Sequence, residues 1–130
     1  MMTGDLNVCL RGEHVVAVLR GELDVTNSAD AISMVAALAA RHQRVIMDLS
    51  ALEFMDCGAL GALLTVQSLA RRSGGDVLLA APAAAVRRLL SVTTMDELLR
   101  VHATVDAAVA SIAARDSGVW PAAVPAYADG

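Results

Sequence analysis

The stretch "EFMDCGALGALL", residues 53–64, sets Cys57 between Asp56 and Gly58, where a helix is expected to begin. Two chemistries are open to a thiol there. As a thiolate it is a nucleophile, and its sulfur can also be oxidised to a sulfenic acid or bridged to another thiol. Amide dipoles at a helix start favour the thiolate, whereas the charge of adjacent Asp56 opposes it, so the balance depends on where that carboxylate points.

Nucleophilic catalysis lacks its second component. A cysteine phosphatase holds its substrate phosphate with an arginine six positions after the cysteine, and here that position is Leu63. Without a bidentate partner the transition-state charge goes unstabilised, so no enzyme is expected. The other cysteine, Cys9, is expected in mid-strand and Cys57 beyond a strand end. An internal bridge needs Cα atoms within about 7 Å, so sulfenic acid or an intermolecular bridge is the expected oxidised form.

The remaining polar residues form no second site. His14, His42 and His102 fall in a turn, a helix end and a strand end, without metal-ligand spacing among themselves or with the cysteines. Gly58 and Gly61 could offer backbone amides to an anion. Equally, they could let the helix pack closely and a partner approach, which is the reading adopted. All ten basic residues counted as Lys or Arg are arginine, which excludes a Walker A lysine and a Schiff-base lysine. The arginines are scattered, and with one Phe, one Trp and one Tyr there is no stacking platform. Nucleic acid is therefore not an expected partner.

These residues are positioned by a chain of 130 residues, 56% hydrophobic and 18% charged, with net charge −4. That is long enough for one domain to bury a core without disulfides or metal. "LNVCLR" (6–11) alternates, with Leu6, Val8 and Leu10 toward a core and Cys9 away from it. "GEH" turns it into "VVAVLR" (15–20), a hairpin. Gly21 in "GELDVTNSAD" is expected to break that strand before a first helix carrying Ile32, Val35, Leu38 and Ala39 at helical spacing. "VIMDL" (45–49) reads as a central buried strand, "SALEFMD" as a loop, and "CGALGALLTVQSLARRS" as a helix stopping at Gly74 and Gly75. "DVLLA" (76–80) is the next buried strand, Pro82 sits in the first turn of a third helix, and Val86, Leu89 and Leu90 form its stripe. "LLRVH" (98–102) is a candidate last strand, and residues 104–116 form a final helix.

A hairpin followed by alternating helix and strand predicts an α/β fold, a mixed sheet of four to five strands with a parallel centre, packed with about four helices. Residues 1–114 form the domain, and 115–130, with Trp120 and Tyr127, read as a flexible tail. No secretory signal opens the chain. Its longest charge-free run, Cys57–Ala70, is 14 residues, short of the roughly 20 a bilayer span needs. A cytoplasmic protein with reduced thiols and no membrane insertion is expected. Sites in such sheets collect beyond the carboxyl ends of the strands. If the strands ending at Arg20 and Leu49 are parallel neighbours, Asp24 and the Asp56-Cys57 pair share one rim.

Three stretches, "RGELDVTNSADAISMV", "VIMDLSALEFMDCGALGALL" and "RRSGGDVLLAAPAAAVRRLLSV", together resemble STAS-domain proteins of the anti-anti-sigma-factor type, over Leu6 to Ala114. The resemblance implies a STAS fold and an anti-sigma factor antagonist, whose partner is an anti-sigma factor of the serine-kinase, ATPase-fold type. It requires no cofactor and no metal. The family's second motif runs Asp, Ser, Ser or Thr, Gly, Leu, its first Ser being phosphorylated by the partner kinase. Asp56 matches the Asp, Cys57 stands at that Ser, Gly58 at the next hydroxyl residue and Ala59 at the Gly, while Leu60 and Gly61 match again. The implied partner surface comprises Asp24, Val25, Thr26 and Asn27 with Asp56, Gly58, Ala59, Leu60 and Gly61, the third helix lying beside it.

A thiol is a poor acceptor for a serine kinase, so the off-switch is expected to be missing. Cys57 then reads as a serine-sized contact in a permanently competent antagonist, as a thiol switch, or as part of a domain retooled for another partner. Asp24 and Asp56 are expected to cap the helices that follow and to frame the surface. Glu22 and Leu23 serve turn and core. The alternative within binding modules is a STAS subunit of another assembly, such as a lipid-transport complex.

Overall fold

The computed structural model describes residues 4–11, 14–24, 26–42 and 44–116. Its five-stranded sheet runs in the order β1 (Gly4–Arg11), β2 (His14–Leu23), β3 (Arg44–Met55), β4 (Asp76–Ala80), β5 (Val101–His102). β1 pairs antiparallel with β2, and every later pairing is parallel. Between them lie α1 (Ser28–His42), α2 (Cys57–Arg72), α3 (Ala84–Val92), the single turn α4 (Met95–Leu98) and α5 (Val105–Asp116). This is the expected mixed α/β sheet.

Alternation along the strands divides the core in two, because successive side chains leave opposite faces of a sheet. Val15, Ala17 and Leu19 of β2, Val45, Met47 and Leu49 of β3, and Val77 and Leu79 of β4 pack against Val35 of α1, Leu60, Leu63 and Val66 of α2, and Val86 and Leu90 of α3. On the other face Val16, Ile46, Leu78 and Ala80 meet Val105, Ala108 and Ile112 of α5. The continuous apolar runs of β3 and β4 are therefore strands covered on both sides.

The two central strands are longer than their apolar runs. Gly21 does not end β2. It adopts φ 81° and stays paired to Gly4 and Leu52. Register shifts lie between Val18 and Arg20 and between Gly21 and Glu22, each absorbing an extra residue of β3. Bulges of this kind bend a strand and re-aim its side chains, and a glycine tolerates the left-handed conformation. "SALEFM" is accordingly the last half of β3 rather than a loop. The shifts bury Leu52 and Met55 while turning Glu53 and Phe54 to solvent, which is why the segment shows no clean period of two.

Other expectations need correction. Asn7, Val8 and Cys9 of β1 are all exposed, so Val8, at 45% exposure, does not enter the core. Pro82 lies outside α3, two residues before its first residue, where its carbonyl accepts from Arg87 Nη2 at 3.0 Å. Leu98 ends α4 and Arg100 has φ 51°, leaving only two residues for β5. α2 stops as expected. Gly74 takes φ 87°, its N–H donates to Arg71 O at 3.1 Å, and Gly75 N–H donates to Ala70 O at 2.8 Å, a Schellman closure. Of the segment expected to form a tail, residues 117–130 lie outside the described residues.

Candidate functional site

β2 and β3 are parallel neighbours, and their last register pair is Leu23 with Met55. The next residue on each strand is Asp24 and Asp56. Asp56 N–H donates to Leu23 O at 3.1 Å, so the two exits are stitched together where the strands end. The shared rim inferred from the sequence is present, though it lies beyond Leu23 and Met55 rather than beyond Arg20 and Leu49.

Asp56 is the N-cap of α2. Its backbone is extended, its Oδ1 accepts from Ala59 N–H at 2.8 Å, and its carbonyl accepts from Leu60 N–H at 3.1 Å. Such a cap satisfies one of the N–H groups that a helix start leaves unpaired. The carboxylate is thus turned into the first turn of the helix. Cys57 follows as the first helical residue, exposed and free. Gly58 and Gly61 are exposed, but Ala59 is 0% and Leu60 3% exposed, so these two face the core and offer a partner no side-chain surface. A Cβ built on Gly61 meets nothing within 4 Å. Close packing within the chain therefore does not require glycine at 61.

Asp24 caps differently from the expectation. Its Oδ1 accepts from Thr26 N–H at 2.9 Å and from the Thr26 hydroxyl at 2.5 Å, and its carbonyl accepts from Ser28 N–H at 2.9 Å. It closes the turn leading into α1, not α1 itself. Asn27 completes that turn: its Oδ1 accepts from Asp24 N–H at 2.9 Å and its Nδ2 donates to Glu22 O at 2.8 Å. The Thr26 hydroxyl, then the Thr26 N–H, hold the Asp24 carboxyl below the ordinary aspartate range, since both bonds favour the charged form. Val25 lies outside the described residues. Leu23 is 1% exposed, the core role expected of it, whereas Glu22 is an exposed, paired residue of β2 rather than part of the turn.

One rim residue escaped the sequence reading. Phe54, 47% exposed, stands opposite Glu22 and two residues before Asp56. A phenylalanine, one of only three aromatics in the chain, is a core residue by default, and the β3 bulges turn it outward. Aromatic residues, Phe among them, are enriched at protein interfaces. The rim has hydrogen-bonded edges, with an exposed thiol and small residues at the head of a helix. Such a surface can dock a protein. Among the described residues no group of three or more His, Cys, Asp or Glu side chains is placed to hold a metal ion, and no helix is long and apolar enough to cross a membrane.

Comparison with known proteins gives three findings. The STAS domain family matches residues 6–108. The anti-sigma-F factor antagonist RsfA of Mycobacterium tuberculosis is 30% identical over 100 residues, covering 75% of this chain and 78% of that protein. Among solved structures, the anti-sigma factor antagonist SpoIIAA in its unphosphorylated form has TM-score 0.66 at 21% identity, covering 90% of this chain and 100% of that one. An anti-sigma factor antagonist from Mycobacterium paratuberculosis has TM-score 0.71 at 22% identity, covering 85% and 94%. SpoIIAA from Bacillus is also known in a phosphorylated form, with TM-score 0.60 at 20% identity, covering 83% and 99%. At these identities the solved structures speak for the fold.

Proposed function

This chain belongs to the STAS-domain family, and from that premise we propose that it is an anti-sigma factor antagonist. It binds an anti-sigma factor of the serine-kinase, ATPase-fold type in the cytoplasm and so releases a sigma factor. It works by docking, without catalysis. The reading is supported by the antagonist that shares 30% identity with this chain. The observation that carries it is the stitched rim, with an exposed Cys57 heading a helix whose cap, Asp56, is tied through its N–H to Leu23 O at the end of β2.

The partner meets Asp24, Val25, Thr26 and Asn27 on one side and Asp56, Cys57, Gly58, Phe54 and Gly61 on the other. Cys57 holds the position that the family resemblance gives to a phosphoserine. A phosphate there would add about −1.5 to −2 charges beside Asp56, opposing docking by repulsion and desolvation. A thiol does not take that phosphate from a serine kinase, so the antagonist stays competent while Cys57 is reduced. Exposure of Cys57 favours one further reading, in which oxidation to sulfenic acid supplies the polarity change that phosphate would have supplied.

The test is phosphate transfer from an anti-sigma kinase that binds this chain, read by intact mass. Wild type should take up no phosphate, and Cys57→Ser should take up one, at Ser in position 57. Phosphate on any residue of the wild type, or none on Cys57→Ser from a kinase that binds it, contradicts the proposal.

A further inference from the structure

β1 stands at the edge of the sheet, and among the described residues nothing pairs with its outer side. It is eight residues long, against about five or six for an ordinary strand. Natural edges of that length are blunted by lysine, proline or a covering segment. β1 has no lysine and no proline, and its only charged residues, Asp5 and Arg11, fall near its two ends. Its centre, Asn7, Val8 and Cys9, is exposed. An uncharged run of backbone groups with no strand beside it among the described residues is a template for another strand.

We propose that this edge pairs antiparallel with β1 of a second copy, about a two-fold axis through Val8. The strand's own sequence, "GDLNVCLR", carries the argument. In that register Val8 faces Val8 of the other copy, Leu6 stands opposite Leu10, Asn7 opposite Cys9 and Asp5 opposite Arg11. The apolar positions thus meet apolar ones, and Asp5 and Arg11 are set opposite each other twice by symmetry. A two-fold interface demands this self-complementarity, and opposite charges and apolar pairs set directly across strands are its stabilising units. Registers displaced along the strand lose the match: an axis moved by one residue to Asn7 would face Asp5 with Cys9 and leave Arg11 opposite residue 3.

The helical layer adds to the same edge. Val8 pairs with Ala17, which faces the α1 and α2 side of the sheet. On α1, Ala36, Ala39 and Ala40 face α2 across a groove. By helical periodicity the opposite flank carries Met34, 48% exposed, and Leu38. That flank lies toward β1, so pairing sets two such flanks beside the dyad over the Val8 pair. Because the joined strands run antiparallel, the rims described above point to opposite ends of one continuous sheet. The dimer presents two copies of the docking surface, each unobstructed. This inference does not depend on the identity of the partner.

The test uses the full chain, with reductant present, in sedimentation across a concentration series. Wild type should reach twice the mass of one chain, and Val8→Lys, which sets two lysines face to face, should remain at one, with an unchanged far-ultraviolet circular dichroism spectrum. A second variant fixes the register: Val8→Cys combined with Cys9→Ser and Cys57→Ser should form a covalent dimer under mild oxidant, because residues directly opposite lie within about 4.5–5.5 Å, inside disulfide range. Wild type at the mass of one chain throughout overturns the proposal. So does a dimer that survives Val8→Lys and does not crosslink through position 8.

Discussion

The cap of α2 is the residue-scale device on which the candidate site turns. Asp56 binds the Ala59 amide with its side chain and Leu23 O with its own N–H, so one residue starts the helix and closes the rim. Losing an N-cap side chain costs about 1 kcal/mol. Asp56→Ala should lower unfolding free energy by about that much in urea titration, and Asp56→Asn, an equally good cap, should retain most of it. On the other side of the rim, Asp24 is held ionised by the Thr26 hydroxyl. Its folded carboxyl titrates below its unfolded one. The stabilisation is therefore complete above the ordinary aspartate range and disappears as pH falls through the depressed value. NMR titration should place the Asp24 carboxyl below an ordinary aspartate, and Thr26→Val should raise it toward the ordinary value. An unchanged titration in that variant would remove the hydroxyl as the cause. Cys57, Asp56 and Asp24 were all visible in the sequence, because small polar residues before an apolar periodic run announce a cap. Which helix Asp24 serves was not visible, since a turn closed by Thr26 and Asn27 and a helix start are written in the same residues.

At the scale of elements, α2 carries an exposed glycine where a better helix former would fit. The empty space around a Cβ at position 61 means that Gly61→Ala should stabilise the helix by about 0.5–1 kcal/mol, measured by thermal or urea unfolding. If the same variant loses affinity for an anti-sigma factor that binds wild type, glycine serves the partner surface. If affinity is unchanged, position 61 lies outside it. The end of α2 is also fixed by long-range bonds. Buried Gln67 donates through Nε2 to Val77 O at 2.9 Å and Leu99 O at 3.0 Å, and buried Asp76 accepts from Arg71 Nε at 3.2 Å and Arg100 Nη1 at 3.3 Å. The apolar runs of β3 and β4 and the periodicity of α1, α2 and α5 were legible because burial on defined faces dictates residue type directly. The second half of β3 was not. A bulge changes which side chain faces inward, so Leu52 and Met55 follow no simple alternation and Phe54 emerges where an apolar residue is ordinarily buried. Nor was α4 legible, since four residues cannot display a helical period.

For the whole molecule, the order of elements was enough to predict a mixed sheet with a parallel centre, and topology then brought two loops distant in sequence to one rim. The sheet achieves this by making β2 and β3 parallel neighbours, joined by α1. It leaves β1 at an edge of the sheet, so the proposed recognition of an anti-sigma factor and the proposed pairing of two copies would use different strands. Whether the rim binds an anti-sigma factor, as proposed, is decided by affinity capture from native cytosol with the full chain as bait, under reductant and under mild oxidant. Wild type, Cys57→Glu and Phe54→Ala are compared, and partners are identified by mass spectrometry. Reduced wild type should retain an ATPase-fold anti-sigma kinase, Cys57→Glu should lose it, and Phe54→Ala should bind it about tenfold more weakly, a loss of about 1.4 kcal/mol. Retention in both redox lanes identifies a constitutive antagonist, and loss under oxidant identifies Cys57 as a thiol switch. Recovery of a membrane permease in place of any anti-sigma factor, or undiminished capture by Cys57→Glu and Phe54→Ala together, would contradict the proposal.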